Sequence, residues 1–256
     1  TAVFLRSVSA QNDQFTLTRQ TQIHPWKDDA ALHAVEVLGK KVAWAVGDHG
    51  TVWQTSDGGE SWSLLQVPAD VSLRSMCFLS KRIGEGQVGT RQIAWLAGRG
   101  TRPYTPSGYG VILKTTAGGK SWLMPGEGQV LPPLNHVRFF GPDEGVAVGE
   151  ATPDFPTGVL TTRDGGETWQ PAPGKRAAGW HAAAFTELND GIVVGPRGSV
   201  SLVAGTNVAP PRLDASSLRG IRAVDSADGL TAWAVGDGAT VLSSSNGGVS
   251  WEALNA

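Results

Sequence analysis

The sequence predicts an all-β fold, a β-propeller of four-stranded antiparallel blades. Three observations carry this: a unit recurring every 41 to 51 residues, strand-length apolar segments within each unit, and a glycine-rich hairpin turn closing most of them. The 34 Gly, 15 Pro and 10 Trp, set against 17% charged residues, describe tight turns and large buried aromatics rather than long solvated helices.

The clearest unit runs Leu32-His-Ala-Val-Glu-Val37, Val42-Ala-Trp-Ala-Val-Gly-Asp48, Gly50-Thr-Val-Trp-Gln-Thr55 and Asp57-Gly-Gly-Glu-Ser-Trp62. The second segment recurs as Ala94–Gly98, Val146–Gly149, Ile192–Gly195 and Ala232–Gly236, with its closing glycine at 47, 98, 149, 195 and 236. The first recurs with apolar anchors at Leu73/Met76/Phe78, Leu134/Val137/Phe139, Trp180/Ala183/Phe185 and Leu218/Ile221/Ala223. Five full units follow, near 32–70, 71–128, 129–174, 175–214 and 215–256, in a single propeller domain spanning 1–256. A helical solenoid of similar period would need apolar spacings of three and four, whereas these segments are short, β-branched and punctuated by glycine.

The third and fourth segments form a hairpin whose turn, Thr55-Ser-Asp57-Gly-Gly59-Glu-Ser61-Trp62, fits the S/T-x-D-x-G-x-S/T-W Asp-box of the bacterial neuraminidase repeat type. It recurs around Asp164 and Trp169, and in degenerate form at Ala117 with Trp122 and at Asn246 with Trp251; the unit spanning 181–213 lacks it. In such a turn the carboxylate accepts backbone N–H bonds, glycine takes a positive φ, and tryptophan wedges between elements. These boxes announce architecture and not chemistry. Ser9–Phe15 aligns with Ser56–Trp62, Phe15 replacing tryptophan and Val3–Arg6 standing for the third strand. Residues 1–31 therefore read as an N-terminal half unit, giving six blades if the ring closes on itself and seven if the chain belongs to a longer one.

The run Ala43-Trp-Ala-Val-Gly-Asp48 through Trp62, echoed by Ala232-Trp-Ala-Val-Gly-Asp237 through Trp251, resembles the photosystem II stability/assembly factor family over roughly residues 32–254. That resemblance implies an exported, non-enzymatic propeller, usually seven-bladed, that assists assembly of a larger complex. Related chains occur in bacteria without photosynthesis, so the photosystem role does not transfer with the resemblance. The lost fourth box, the incomplete first unit and the inserts of unit two depart from the family.

Composition excludes several other classes. A net charge of −2 without a Lys/Arg run offers nothing to a phosphate backbone, so no nucleic-acid partner is expected. No apolar run reaches membrane-spanning length, and the start carries neither an initiator Met nor a signal peptide. One cysteine, Cys77, excludes an internal disulfide. Five scattered histidines, with no Asp-rich calcium loop and no phosphate loop, predict no metal and no cofactor.

In a propeller the first strand of each blade lines the axis. The residue after each first-strand anchor is polar: His33, Arg74, Asn135, His181 and Arg219. Three positions on come Glu36, Cys77, Arg138, Ala184 and Arg222, so Arg138 and Arg222 form a second layer. Clustered arginine holds carboxylates by bidentate bonds, and the expectation is a channel ring that captures a protein or acidic peptide. The plainer alternative is a channel that is polar because it is wet.

The alternative function is a glycan-binding or glycoside-hydrolase propeller of the sialidase-like type. Asp48, Glu150 and Asp237 follow the repeat glycine and could serve as paired carboxylates, although the repeat explains them as turn acceptors. A sialidase needs a tyrosine nucleophile, and Tyr104 and Tyr109 both fall in the insert Arg99–Gly110, read as a loop. No catalytic residue is assigned. That insert, the segment Lys81–Arg91 and the segment Ala151–Thr157 are the irregular stretches where specificity could reside.

Overall fold

Each repeat unit folds into one antiparallel sheet whose strands follow chain order outward from the axis. The computed structural model describes residues 29–79, 93–101, 108–126, 128–204, 207–209 and 219–254, with backbone pairing alone at three further two-residue strands. Segment 81–91, Tyr104, Leu218 and most of the N-terminal half unit lie outside the described residues.

A hairpin of β1 (Val8–Ser9) and β2 (Thr16–Leu17) precedes the blades. The first blade holds β3 (Leu32–Val37), β4 (Ala43–Gly47), β5 (Val52–Thr55) and β6 (Ser63–Leu64). The second holds β7 (Ser72–Leu79), β8 (Ile93–Thr101) and β9 (Gly108–Thr115). The third holds β10 (Leu134–Phe139), β11 (Gly145–Gly149), β12 (Val159–Thr162) and β13 (Gln170–Pro171). In the fourth, β14 (Ala182–Glu187), β15 (Asp190–Val194) and β16 (Ser199–Ala204) are edged by β17 (Asn207–Val208) and β18 (Arg212–Leu213), both paired to β16. The fifth holds β19 (Ile221–Ser226), β20 (Ala232–Gly236), β21 (Thr240–Ser244) and β22 (Glu252–Ala253).

The all-β propeller of antiparallel blades expected from the repeat is therefore present, its five full units forming five blades among the described residues, with local differences. In the second blade the fourth strand shrinks to a single bridge, Lys114 to Leu123. Elsewhere the fourth strand continues, with the N–H groups of Leu65, Ala172 and Leu254 donating to the carbonyls of Val52, Val159 and Val241. The second blade has Pro125 at that place, two residues past the bridge, and proline has no N–H to give. The insert Arg99–Gly110 also departs from a loop, because β8 and β9 extend into it and pair Arg99 with Gly110 and Thr101 with Gly108. Segment Ala151–Thr157 is tied down by buried Phe155 and by Thr157, whose hydroxyl donates to Ala172 O.

Blades are held together by aromatic contacts that recur in register. Trp44 of the first blade meets Phe78 of the second edge-on at 5.0 Å, and Trp95 of the second stacks on Phe139 of the third at 3.7 Å and 8°. Val146 of the third blade and Phe185 of the fourth share one cluster in the same way. Each aromatic pair adds roughly 1 kcal/mol beyond the area it buries.

The glycine-rich turns close with a shared set of bonds. Thr55 Oγ1 donates to Asp57 Oδ1 and accepts from Gly59 N, while Asp57 accepts from Ser61 N. The turn at Asp164 repeats this with Thr162, Gly166 and Thr168, and Asn246 does so with Ser244, Gly248 and Ser250. Hydrogen bonds from Ser61 and Thr55 hold the Asp57 carboxyl well below the usual carboxylate range. Burial raises Asp164, but bonds from Thr168 and Thr162 outweigh it and bring that carboxyl to about 2.

At Ala117 the acceptor is missing, and two buried indole N–H groups beside that turn, those of Trp44 and Trp122, have no partner among the described residues. By contrast the equivalent Trp95 donates to Gly165 O, and Trp169 to Gly166 O. Replacing Ala117 with Asp is expected to restore the bonds to Thr115 and Ser121 and to stabilise the protein by about 1 kcal/mol, read as a higher urea midpoint. An unchanged or lower midpoint would show that the missing carboxylate does not loosen this turn.

Candidate functional site

A glycine is required at the place in the second strand of each blade that faces the entry to the first strand. A Cβ on Gly47, Gly98, Gly149 or Gly236 would lie 2.1, 2.5, 2.0 or 2.3 Å from the carbonyl oxygen of Ala31, Ser72, Pro133 or Gly220, which enters the first strand. Gly195 stands in the same relation to Gly179 O, at 2.7 Å. Only a residue without a side chain admits that approach.

Beside this contact the first strand carries one extra residue. The register shifts between Leu32 and Ala34, Leu73 and Ser75, Leu134 and His136, and Ile221 and Ala223, so His33, Arg74, Asn135 and Arg222 are bulged out of the ladder. His181 falls at the same place in the fourth blade, between Trp180 and the Ala182–Val194 pair. Bulges re-aim side chains, and here four are re-aimed toward the axis, with His181 beside them in the cavity wall.

The fifth blade corrects the sequence alignment. Ile221 pairs with Gly236 as Leu32 pairs with Gly47, so the anchor is Ile221 and not Leu218. Arg222 therefore takes the ring position expected for Arg219, and Asp225 takes the place below it that was expected for Arg222. Arg219 sits on the rim, its Nη1 donating to Gly238 O at 2.8 Å. The pairing of glycines across the hairpin, rather than the spacing of apolar residues, is the signal that finds this register.

His33, Arg74, Asn135, His181 and Arg222 line one cavity of about 570 Å³ at the end of the channel where the first strands begin, joined by Glu36, Arg99 and His136. Spacing within the chain did not point to Arg99 or His136. Arg99 comes from the extended hairpin of the second blade, and His136 from the residue after a bulge. Arg138, one position past buried Val137, is exposed and lies outside this lining.

The ring side chains also stitch neighbouring blades. Asn135 Nδ2 donates to Trp180 O at 2.8 Å, His181 Nδ1 meets Ile221 O at 2.8 Å, and Arg74 Nη1 approaches His33 Nδ1 at 3.4 Å. On its other side His33 Nε2 meets Asp48 Oδ1 at 2.8 Å, and the same oxygen accepts from Ser72. The serine thus donates to the aspartate and not to the histidine, an order unsuited to activating a nucleophile.

Most of the charges are matched. Arg222 grips Asp237 with two bonds of 2.8 and 2.9 Å, and Arg99 pairs with Glu150. Hydrogen bonding to Arg222 lowers Asp237, whereas at Asp48 the bonds from Ser72 and His33 overcome the effect of burial and lower it too. Burial raises Glu36, with Arg138 pulling the other way. Arg74 differs: among the described residues it has no carboxylate within ion-pair distance, and its Nε is buried without a partner. Among the described residues no group of three His, Cys, Asp or Glu could hold a metal ion.

His136 faces this cavity with its pKa depressed to about 4, by burial first and by Arg138 second. Because the folded value lies below the unfolded 6.5, stability is complete above pH 6.5 and falls as pH drops toward 4. His136→Gln is expected to remove a loss on the order of 1–3 kcal/mol over that window, measured as urea midpoints from pH 8 to 4. An unchanged slope would place the sensitivity elsewhere.

No protein-family model and no curated protein sequence matches the chain. Solved structures do. YCF48 bound to D1 peptide aligns with a TM-score of 0.60 at 19% identity, covering 88% of this chain and 69% of that one. An ancestral GH74 enzyme aligns with a TM-score of 0.64 at 13% identity, this chain spanning 99% of its own length and 32% of the enzyme's. The WD40 propeller of Doa1 aligns with a TM-score of 0.61 at 11% identity, over 99% and 72%. The family resemblance read from the sequence thus has a structural counterpart in YCF48, and at these identities the likeness establishes the shared fold: the chain is a β-propeller.

Proposed function

We propose that the protein is a non-catalytic scaffold that captures a peptide segment of a partner protein at the channel mouth, through a carboxylate held by Arg74. The observation that carries this reading is that Arg74, alone among the described ring guanidiniums, has no carboxylate within ion-pair distance while lining a cavity of about 570 Å³. Arg99 and Arg222 flank it, but each is already paired with a carboxylate, Glu150 and Asp237, which leaves Arg74 as the guanidinium to receive one. The likeness to a propeller solved with a peptide, YCF48 with D1 peptide, supports a peptide as the kind of partner.

The reading extends to assistance in assembling a larger complex in an exported compartment, which rests on the sequence resemblance. Among the described residues no helix is long and apolar enough to cross a membrane. The glycan-hydrolysing alternative is disfavoured by the carboxylates it would use. Asp48 and Asp237 are both lowered and hydrogen-bonded, so neither is poised as a protonated acid, and Glu150 is taken up by Arg99.

The test is fluorescence anisotropy with a labelled peptide library differing in charge. Acidic peptides are expected to bind, and Arg74→Gln to weaken them about tenfold or more while Arg74→Lys keeps part of the affinity. Equal binding of acidic and neutral peptides, or indifference to Arg74→Gln, would overturn the assignment.

A further inference from the structure

Each blade interface places the second-strand face of one sheet against the first-strand face of the next, and the series of five leaves half an interface bare at each end. Trp233 and Val235 of the fifth blade hold the positions of Trp44 and Val46, since all four pair across equivalent ladders. Trp44 and Val46 are 0% exposed; Trp233 and Val235 are 51% and 45% exposed. On the first blade, Val35 and Val37 hold the positions of Met76 and Phe78. Val35 is 65% exposed against 8% for Met76. The two bare faces are the complementary halves of the interface that the chain builds between its other blades.

We propose that these faces are covered by the N-terminal residues 1–28 of this chain, packed between the fifth and first blades with Phe15 seated on Trp233. Three observations choose this occupant. The segment leads into Asp29 and then β3, so it ends at the bare face of the first blade. It contains a hairpin, β1 with β2, which pairs Ser9 with Thr16, two residues tighter than the Gln54–Ser63 pairing that the alignment with the first blade implied. Despite that difference, Phe15 directly precedes the returning strand, as Trp62, Trp169 and Trp251 precede β6, β13 and β22.

Where a preceding blade exists, the aromatic at this place lies against it. Trp122 of the second blade meets Trp44 of the first edge-on at 6.1 Å, Trp169 of the third shares a cluster with Trp95 of the second, and Trp251 of the fifth packs with Ile192 and Val194 of the fourth. In a closed ring the fifth blade precedes the N-terminal unit. By the same rule Phe15 meets Trp233, the residue equivalent to Trp44 and Trp95.

A double-mutant cycle on the full chain tests this. Phe15→Ala and Trp233→Ala are each expected to lower the urea midpoint, Phe15→Leu to lower it less, and the double variant to lie no lower than the weaker single variant. Dye binding to exposed apolar surface should rise about equally in both alanine variants. Light scattering should report a monomer at all concentrations. Additive midpoint shifts, or a Phe15→Ala variant equal to the parent in midpoint and dye binding, would overturn the proposal. So would a concentration-dependent dimer abolished by Trp233→Glu, which would give the bare faces to a second copy of the chain.

Discussion

The close approach of a glycine to the carbonyl entering the first strand is the constraint on which the channel depends. At Gly47, Gly98, Gly149 and Gly236 the approach leaves no room for a Cβ, and directly beside it the first strand bulges by one residue. A regular strand would alternate its side chains between the two faces of the blade, both of which are needed for packing. The bulge releases one residue per blade from that duty and turns it to the axis. Glycine in the repeat is therefore more than a turn former, because it sets where the polar ring can exist.

Two kinds of interaction then share the work between consecutive blades. Away from the axis, apolar aromatics stack in register, Trp95 on Phe139 and Trp44 against Phe78. At the axis, where first strands converge and water enters, Asn135 and His181 bond to the backbone of the next blade. Asn135 and His181 are spent on holding blades together, Arg222 is occupied by Asp237, and Arg74 has no carboxylate within ion-pair distance among the described residues. A ring that reads as uniform in sequence divides by partner in three dimensions.

Much of the architecture was legible because the repeat is periodic at the scale of single strands. The alternation Leu73/Met76/Phe78 and the recurring Gly-bounded second segment predicted the sheets and their order. Alignment failed where apolar spacing was ambiguous: Leu218 and Ile221 both fit the anchor, and only the pairing of Ile221 with Gly236 separates them, so Arg219 and Arg222 were exchanged. Arg99 was hidden by an insert that looked like a loop and folds as a longer hairpin. The loss of the second blade's outer strand was written in Pro125, but its meaning requires knowing which N–H groups the other blades use. Partners of charged groups across blades, such as Arg99 with Glu150, cannot be read from one chain without the register.

Hydrogen exchange read by mass spectrometry, with and without a bound acidic peptide, tests the central claim most directly, because it reports on the bulged strands themselves. Protection is expected in peptides covering Leu32–Glu36, Leu73–Cys77, Leu134–Arg138 and Ile221–Asp225, the four bulges that open onto one cavity. Protection confined to the outer edge around Leu123 and Met124, with the first strands unchanged, would contradict it.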